Sequence, residues 1–147
     1  MVIEKVGQLL PFTREQAFDL AADIERYPDF LRGWITARIV KRESNICSVD
    51  QVLGIGLIRV QFSSKAVLRR PERIDVTSSD PPFSRFSLSW RVEAGPSAGC
   101  RVNIAADLEL RSRFLQQVVN RVLPATVVDI IAAFETRARS LYAIRDE

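Results

Sequence analysis

Histidine is absent from all 147 residues. That removes Ser-His-Asp and Cys-His arrangements, histidine-ligated zinc, and the side chain most often used to move protons near neutral pH. Cysteine is almost absent: Cys47 and Cys100 stand far apart, with no CxxC or other ligand spacing. No metal site is expected, and the two thiols read as small buried apolar groups, with a disulfide or a reactive thiol as the alternatives. No uninterrupted apolar run approaches the roughly 18 residues that cross a bilayer, and MVIEKVGQLL at the start lacks the basic-then-apolar pattern of a secretory signal. The expected compartment is the cytoplasm, with contact to a membrane surface left open and insertion excluded. Lysine is scarce as well: only Lys5, Lys41 and Lys65 among 21 cationic residues are not arginine. Arginine suits phosphate and carboxylate recognition, yet a net charge of +3 is modest.

What is present describes one domain over 1–147, 47% apolar and 27% charged, long enough to bury roughly two thirds of its unfolded surface. Val2 to Leu10 reads as a first strand ended by Pro11. Thr13 to Gln16 is a capping box, followed by a short amphipathic helix to about Ile24. Pro28 biases Tyr27 away from helical geometry, and Asp29 to Leu31 can add one short turn. From Ile35 to Leu110 the period becomes two. Strands are expected at Ile35 to Lys41, Ile46 to Leu53, Leu57 to Leu68, Ile74 to Ser78, Phe86 to Val92 and Val102 to Leu110, each with one apolar and one solvated face.

The last segment, Arg113 to Tyr142, is a long helix with Ser112 as N-cap. Its apolar residues fall into two groups. Leu115, Val118, Val119 and Val122 centre on one direction, and Val127, Ile130, Ile131, Phe134, Ala138 and Leu141 centre roughly 120° away. Pro124 lies between them, so a kink or break is expected at Leu123 to Thr126. One curved antiparallel sheet covered by one long helix is the economical α+β arrangement.

DIERYPDFLRGW, residues 23–34, is unusual for a connection, since turns are built mainly from small polar residues and this one carries Tyr27, Phe30 and Trp34. YPDFL after the first helix, PF at Pro82 and Phe83 followed by Trp90, CRVNIAADLEL over 100–110 and AAFETRARSLY over 132–142 stand in an order and spacing that cover nearly the whole chain. Together they resemble the START-like helix-grip superfamily, in its coenzyme-Q-binding and polyketide-cyclase-like branch, which includes the ribosome-association toxins. The chain departs from that pattern at LRGW (31–34), where members often carry proline and cysteine, in the lack of aromatics in the strand Val102 to Leu110, and at Pro124.

The resemblance implies about seven strands curved around the C-terminal helix, two short helices after the first strand, and a deep apolar cavity whose members' ligands are sterols, lipids, polyketides or isoprenoid quinones. By period, the side chains expected in that cavity are Val49, Gln51, Val60, Phe62, Phe86, Leu88 and Trp90 from the sheet, and Val119, Leu123, Val127, Ile130 and Ile131 from the helix, with ordinary core packing as the alternative for each. Tyr27, Phe30 and Trp34 are expected at its mouth, either as a lid or as plugs. The loop Leu53, Gly54, Ile55, Gly56 and Leu57 reads either as a tight hairpin or as an apolar lip that touches a membrane.

Three functions follow. The first is non-catalytic binding of a hydrophobic small molecule, ubiquinone or a related isoprenoid, as a carrier or chaperone supporting respiration, in the cytoplasm or at the inner membrane surface, with no cofactor and no catalytic residue. The second is a cyclase or dehydratase using Arg59, Asp50, Tyr27 or Gln51, although no pair has the spacing of an acid and a base. The third is contact with the ribosome through Arg111, Arg113, Arg121, Arg137 and Arg139, for which a solvated helix face with pairs such as Glu135 and Arg139 is the plain alternative. DNA is not an expected partner.

Overall fold

The computed structural model describes residues 1–142, and the end of the single domain expected over 1–147 lies outside them. Seven antiparallel strands form one sheet in the order β1-β7-β6-β5-β4-β3-β2. They are β1 (Val2–Leu10), β2 (Trp34–Glu43), β3 (Ile46–Ile55), β4 (Ile58–Arg69), β5 (Arg73–Ser78), β6 (Phe83–Ala94) and β7 (Cys100–Leu110). The expected strands are all present: β1 has the expected bounds, β4 begins one residue later because Leu57 lies in the turn, and the others extend by one to three residues at one or both ends. Strict alternation sets the two faces: Val102, Ile104, Ala106, Leu108 and Leu110 of β7 are buried while their neighbours are half exposed, the pattern of a strand with one covered face.

Because β1 and β2 lie at opposite edges, the chain between them has to cross the width of the sheet. Helix α1 (Arg14–Ala22), a 3-10 turn at Ile24–Arg26 and helix α2 (Tyr27–Phe30) make that crossing. The Thr13 hydroxyl accepts from the Gln16 amide at 3.1 Å and the Gln16 side chain accepts from the Thr13 amide at 3.0 Å, so the capping box forms as its sequence implies. Along β1, Gly7 sits at a register shift. A Cβ there would lie 2.4 Å from the Val102 carbonyl oxygen, so this close approach requires glycine.

Tyr27 differs from expectation. It is helical (φ −52, ψ −41), and Pro28 falls in the first turn of α2, where its missing N–H would have no intrahelical partner. The preference imposed by the following proline yields to burial. Tyr27 is 1% exposed, its hydroxyl donates to the Ala21 carbonyl, and its ring meets Phe30, Trp34 and Trp90 at 6.2, 5.5 and 6.0 Å between centroids. The contacts with Phe30 and Trp34 are edge-to-face, a geometry that adds to simple area burial. Burial, and to a smaller degree the charge of Asp23, push the Tyr27 phenol far above its ordinary value, and the facing indole of Trp90 offsets only part of that.

Helix α3 (Arg113–Tyr142) runs through Pro124 without the expected break. Ser112 starts it, accepting from the Leu115 amide at 3.3 Å. Nor are there two apolar faces: Val119, Leu123, Val127, Ile130, Ile131, Phe134 and Ala138 are the buried residues, and at 100° per residue they fill one sector of about 120°. Val118 and Val122 are half-buried flanks that draw the apparent centre of the first group off this stripe. Pro124 and Asn120, whose carbonyl loses its helical donor, are exposed, so water can take the missing bond. The helix has the length and hydropathy of a membrane span, but one third of the relevant window is buried within the fold, and its apolar stripe faces the sheet. Cys47 and Cys100 are buried free thiols, as expected.

Two measurements test this description. Pro124→Ala should raise stability by about 1–3 kcal/mol in urea unfolding, since it restores a helix donor and removes a steric conflict; a loss would mean that the proline shapes α3 to fit the sheet. Tyr27→Phe should cost about 1–2 kcal/mol at neutral pH by leaving the Ala21 carbonyl without its donor. The raised phenol is neutral in the folded state, so its contribution is complete below the ordinary value of 10.0 and is lost as pH rises beyond it. The gap between wild type and Tyr27→Phe should therefore narrow above pH 10, and a constant gap would contradict the burial argument.

Candidate functional site

The two halves of the space under α3 are filled differently. Toward its C-terminal half, Trp90 packs on Phe134 at 5.2 Å and on Tyr27, and rings occupy the interior. Toward its N-terminal half the facing residues are smaller. Register sets Leu88 opposite Ala106 and Phe86 opposite Leu108 on β6 and β7, beneath Val119, Leu123 and Val127. There an apolar cavity of about 90 Å³ remains, lined also by Trp34, Ile130, Val122, Thr126 and the hairpin residues 53–56. Ligand pockets commonly run to roughly 300–1,000 Å³, so anything beyond a few heavy atoms enters only if the walls separate.

Of the side chains expected in the cavity, Trp34, Phe86, Leu88, Val119, Leu123, Val127 and Ile130 line it, as do Leu53, Gly54, Ile55 and Gly56. Tyr27, Phe30, Val49, Gln51, Val60, Phe62, Trp90 and Ile131 do not. Tyr27 is a plug in the solid half, and Phe30 sits under the Arg137 guanidinium at 5.4 Å from its ring centre. Phe62 packs with Phe83 and Phe86 at 5.0 and 4.8 Å. Gln51 is buried but fully engaged: Trp34 Nε1 donates to its Oε1 at 2.9 Å, its Nε2 donates to Ser64 Oγ at 2.7 Å, and Ser64 donates on to the Val49 carbonyl at 3.0 Å. This chain engages both ends of the Gln51 amide and fixes the Trp34 ring in the cavity wall. The buried Trp90 Nε1 meets no acceptor at hydrogen-bonding geometry, and it is turned to Tyr27, away from the cavity.

The period-two reading omitted Ala106 and Leu108, which pairing β6 with β7 would have supplied, and the helical neighbours Val122 and Thr126. It also omitted Arg32 and Gly33 at the rim. Gly33 has φ +102 and its carbonyl accepts from the Gly54 amide at 2.8 Å, so the loop after α2 is stitched to the β3–β4 hairpin. That hairpin closes through Gly56 (φ +61) and Leu57, with glycine at the first central position of a two-residue turn as a II′ geometry requires. Leu57 points fully into solvent and is not part of the wall.

The polar side chains on the cavity are Arg32 and Thr126, and the Thr126 hydroxyl donates to the Val122 carbonyl at 2.8 Å. None of the residues considered for acid-base work lies there. Asp50 accepts from Ser63 Oγ at 2.8 Å on the outer face, Arg59 is exposed, and the Tyr27 phenol is engaged. Among the described residues no group of acidic, histidine or cysteine side chains could hold a metal ion. A larger depression of about 710 Å³ lies on the outer face, open and lined by serines, Thr77, Lys65, Arg85 and carboxylates. It lacks the enclosed apolar character of a small-molecule site.

Comparison with known proteins agrees with this architecture. Residues 10–135 match the family described as polyketide cyclase / dehydrase and lipid transport. The ribosome association toxin RatA of Escherichia coli K12 is 24% identical over 137 residues, 93% of this chain and 87% of that one. The mitochondrial coenzyme Q-binding protein COQ10 of Dictyostelium discoideum is 22% identical over 146 residues, 97% of this chain and 71% of that one. The crystal structure of the Zhui aromatase/cyclase from Streptomyces sp. R1128 superposes with a TM-score of 0.84 at 14% identity, covering 98% of this chain and 97% of that one, a likeness of fold. With a START-like helix-grip architecture throughout, the chain belongs to the polyketide cyclase / dehydrase and lipid transport family.

Proposed function

We propose that this protein binds a hydrophobic small molecule without transforming it, ubiquinone or a related isoprenoid lipid, and acts as its carrier in the cytoplasm and at the inner membrane surface. The observation that carries this reading is the chemistry of the cavity wall: aliphatic and aromatic apart from Thr126, whose hydroxyl is bonded to the Val122 carbonyl, with one donor-only guanidinium at its rim. A quinone head group offers only acceptors, which suits Arg32, and an isoprenoid tail suits the rest. At about 0.8 kcal/mol per buried CH₂, a few isoprene units would offset the cost of parting the walls. The resemblance to a coenzyme Q-binding protein supports the same class of ligand.

A cyclase or dehydratase reading is weaker, because Asp50, Arg59, Tyr27 and Gln51 all lie off the cavity and no acid-base pair faces it. Ribosome contact, suggested by the RatA resemblance, has an observation of its own: Arg111, Arg113, Arg121 and Arg139 are exposed and none forms an ion pair among the described residues. Glu135 does not pair with Arg139 as expected, because it accepts from the Gln8 amide at 2.8 Å.

Ala106→Leu places branched bulk in the hollow half while keeping the core apolar. It should abolish uptake of ubiquinone with a short tail, followed by quenching of tryptophan fluorescence and by native mass spectrometry, with a melting temperature unchanged or higher. Uptake equal to wild type would remove the cavity from consideration, and turnover of a model polyketide by the wild type would favour the enzyme.

A further inference from the structure

The rim of the cavity and the surface beside it share one sign of charge. Residues 30–37, 51–62 and 110–123, which build this end, contain no aspartate or glutamate. Arg32 lies on the rim, Arg59 stands opposite Gly54 in the hairpin, and Arg121 is on the adjoining part of α3. All three are exposed, and among the described residues none of their side chains has an ion pair or hydrogen bond. Elsewhere arginine does find carboxylates, Arg70 with Asp19 at 2.9 Å and Arg85 with Asp107 at 2.8 Å.

The large exposed apolar side chains at this end stand among those cations. Leu57 at the hairpin tip is 105% exposed and Phe114 on the first turn of α3 is 68% exposed. The two elements touch: a Cβ on Gly56 would sit 3.7 Å from Val118 Cγ1. Phe114 precedes Val118 by four residues and Arg121 follows it by three, so all three share a helix face beside the hairpin tip. An aliphatic side chain held in water at a two-residue turn, beside an exposed ring and cations without partners, has the composition of an interfacial anchor.

We infer that this end of the molecule docks on an anionic bilayer, with Leu57 and Phe114 entering the interface and Arg32, Arg59 and Arg121 lying among lipid phosphates. The inference rests on the carrier reading for its purpose but on this surface for its evidence. It puts the cavity rim against the membrane, so that a ligand leaving the acyl region need not cross water. RNA would also attract the arginines, but it offers nothing to a solvent-exposed leucine at a hairpin tip, whereas a bilayer accounts for both kinds of side chain.

Sedimentation of the ligand-free protein with vesicles of phosphatidylcholine, with and without phosphatidylglycerol, tests it. Binding is expected only with phosphatidylglycerol, weakening as salt rises, with slowed hydrogen exchange at residues 54–57. Leu57→Ser should lower binding at least tenfold, and Arg121→Glu by about fivefold or more, from the contribution of one cation at an anionic surface. Phe114→Ser should lose vesicle binding while keeping its melting temperature and its uptake of short-tailed ubiquinone in vesicle-free solution, which separates a failure of docking from a failure of ligand binding. Equal binding to neutral vesicles, no binding, or binding unaffected by Leu57→Ser and Phe114→Ser would overturn the inference. Salt-sensitive co-sedimentation with ribosomal subunits that Arg121→Glu abolishes and Leu57→Ser leaves intact, without vesicle binding, would assign the surface to RNA instead.

Discussion

The concave face of seven strands has to be kept from water by a single helix, and most features of the molecule answer to that constraint. Each fully buried Val, Leu, Ile or Phe contributes roughly 1.5–3 kcal/mol, and the stripe from Val119 to Ala138 supplies seven buried residues along α3. A break at Pro124 would divide that stripe, and no other element among those described could cover the exposed part of the sheet. The helix therefore tolerates the proline on its wet side. The same constraint explains the crossing after β1: α1 and α2 close one end of the space that a single helix cannot, and they do so with Tyr27, whose ring touches three other aromatics.

The cavity follows from an imbalance in side-chain volume along α3. Its C-terminal half presents Phe134 to Trp90, and large rings leave little space. Its N-terminal half presents valines, Leu123 and Thr126 to a part of β7 where Ala106 stands. The absence of aromatics from β7, visible in the sequence, thus has the consequence of leaving room. Trp34 lies where the two halves meet, its edge against Tyr27 at 5.5 Å and its ring in the cavity wall. The bonds through Gln51 and Ser64 to a backbone carbonyl hold it there, and a satisfied polar chain in an apolar interior specifies one arrangement among several of similar packing energy.

Much of this was legible beforehand, for identifiable reasons. Strands with one wet face declare themselves by alternation, and the capping box at Thr13 and the cap at Ser112 are local chemistry, so element order and type could be read directly. What periodicity could not distinguish was cavity wall from solid core, since both demand an inward apolar residue. Val49 and Leu88 carry the same signal, and only the register of β6 on β7 and the taper of α3 separate them. Trp34 and Ser64, the partners of Gln51, lie on other elements, so no local pattern shows that the Gln51 amide is already bonded. Pro124 misled for a related reason: its effect depends on whether the orphaned carbonyl faces water, and averaging Val118 and Val122 into the stripe hid the continuous face.

An aromatic connection after the first helix now divides into three parts with different tasks. Tyr27 is core, with a phenol that burial keeps neutral and a hydroxyl committed to Ala21. Phe30 is half-buried beneath Arg137 and ties the connection to the far half of α3. Trp34 alone faces the cavity, and it is the one least free to move, since Gln51 holds its nitrogen. If the walls are to separate for a ligand, motion at Trp34 would strand its own indole N–H and the Gln51 Oε1 in an apolar interior, a cost of about 1–3 kcal/mol for each unsatisfied group. The β3–β4 hairpin and the first turns of α3 carry no such penalty: Leu57 and Phe114 are already in solvent, and Val118 and Val122 are only half-buried. An opening that admits a ligand would therefore fall between the hairpin and the helix, with the aromatic connection as the fixed jamb.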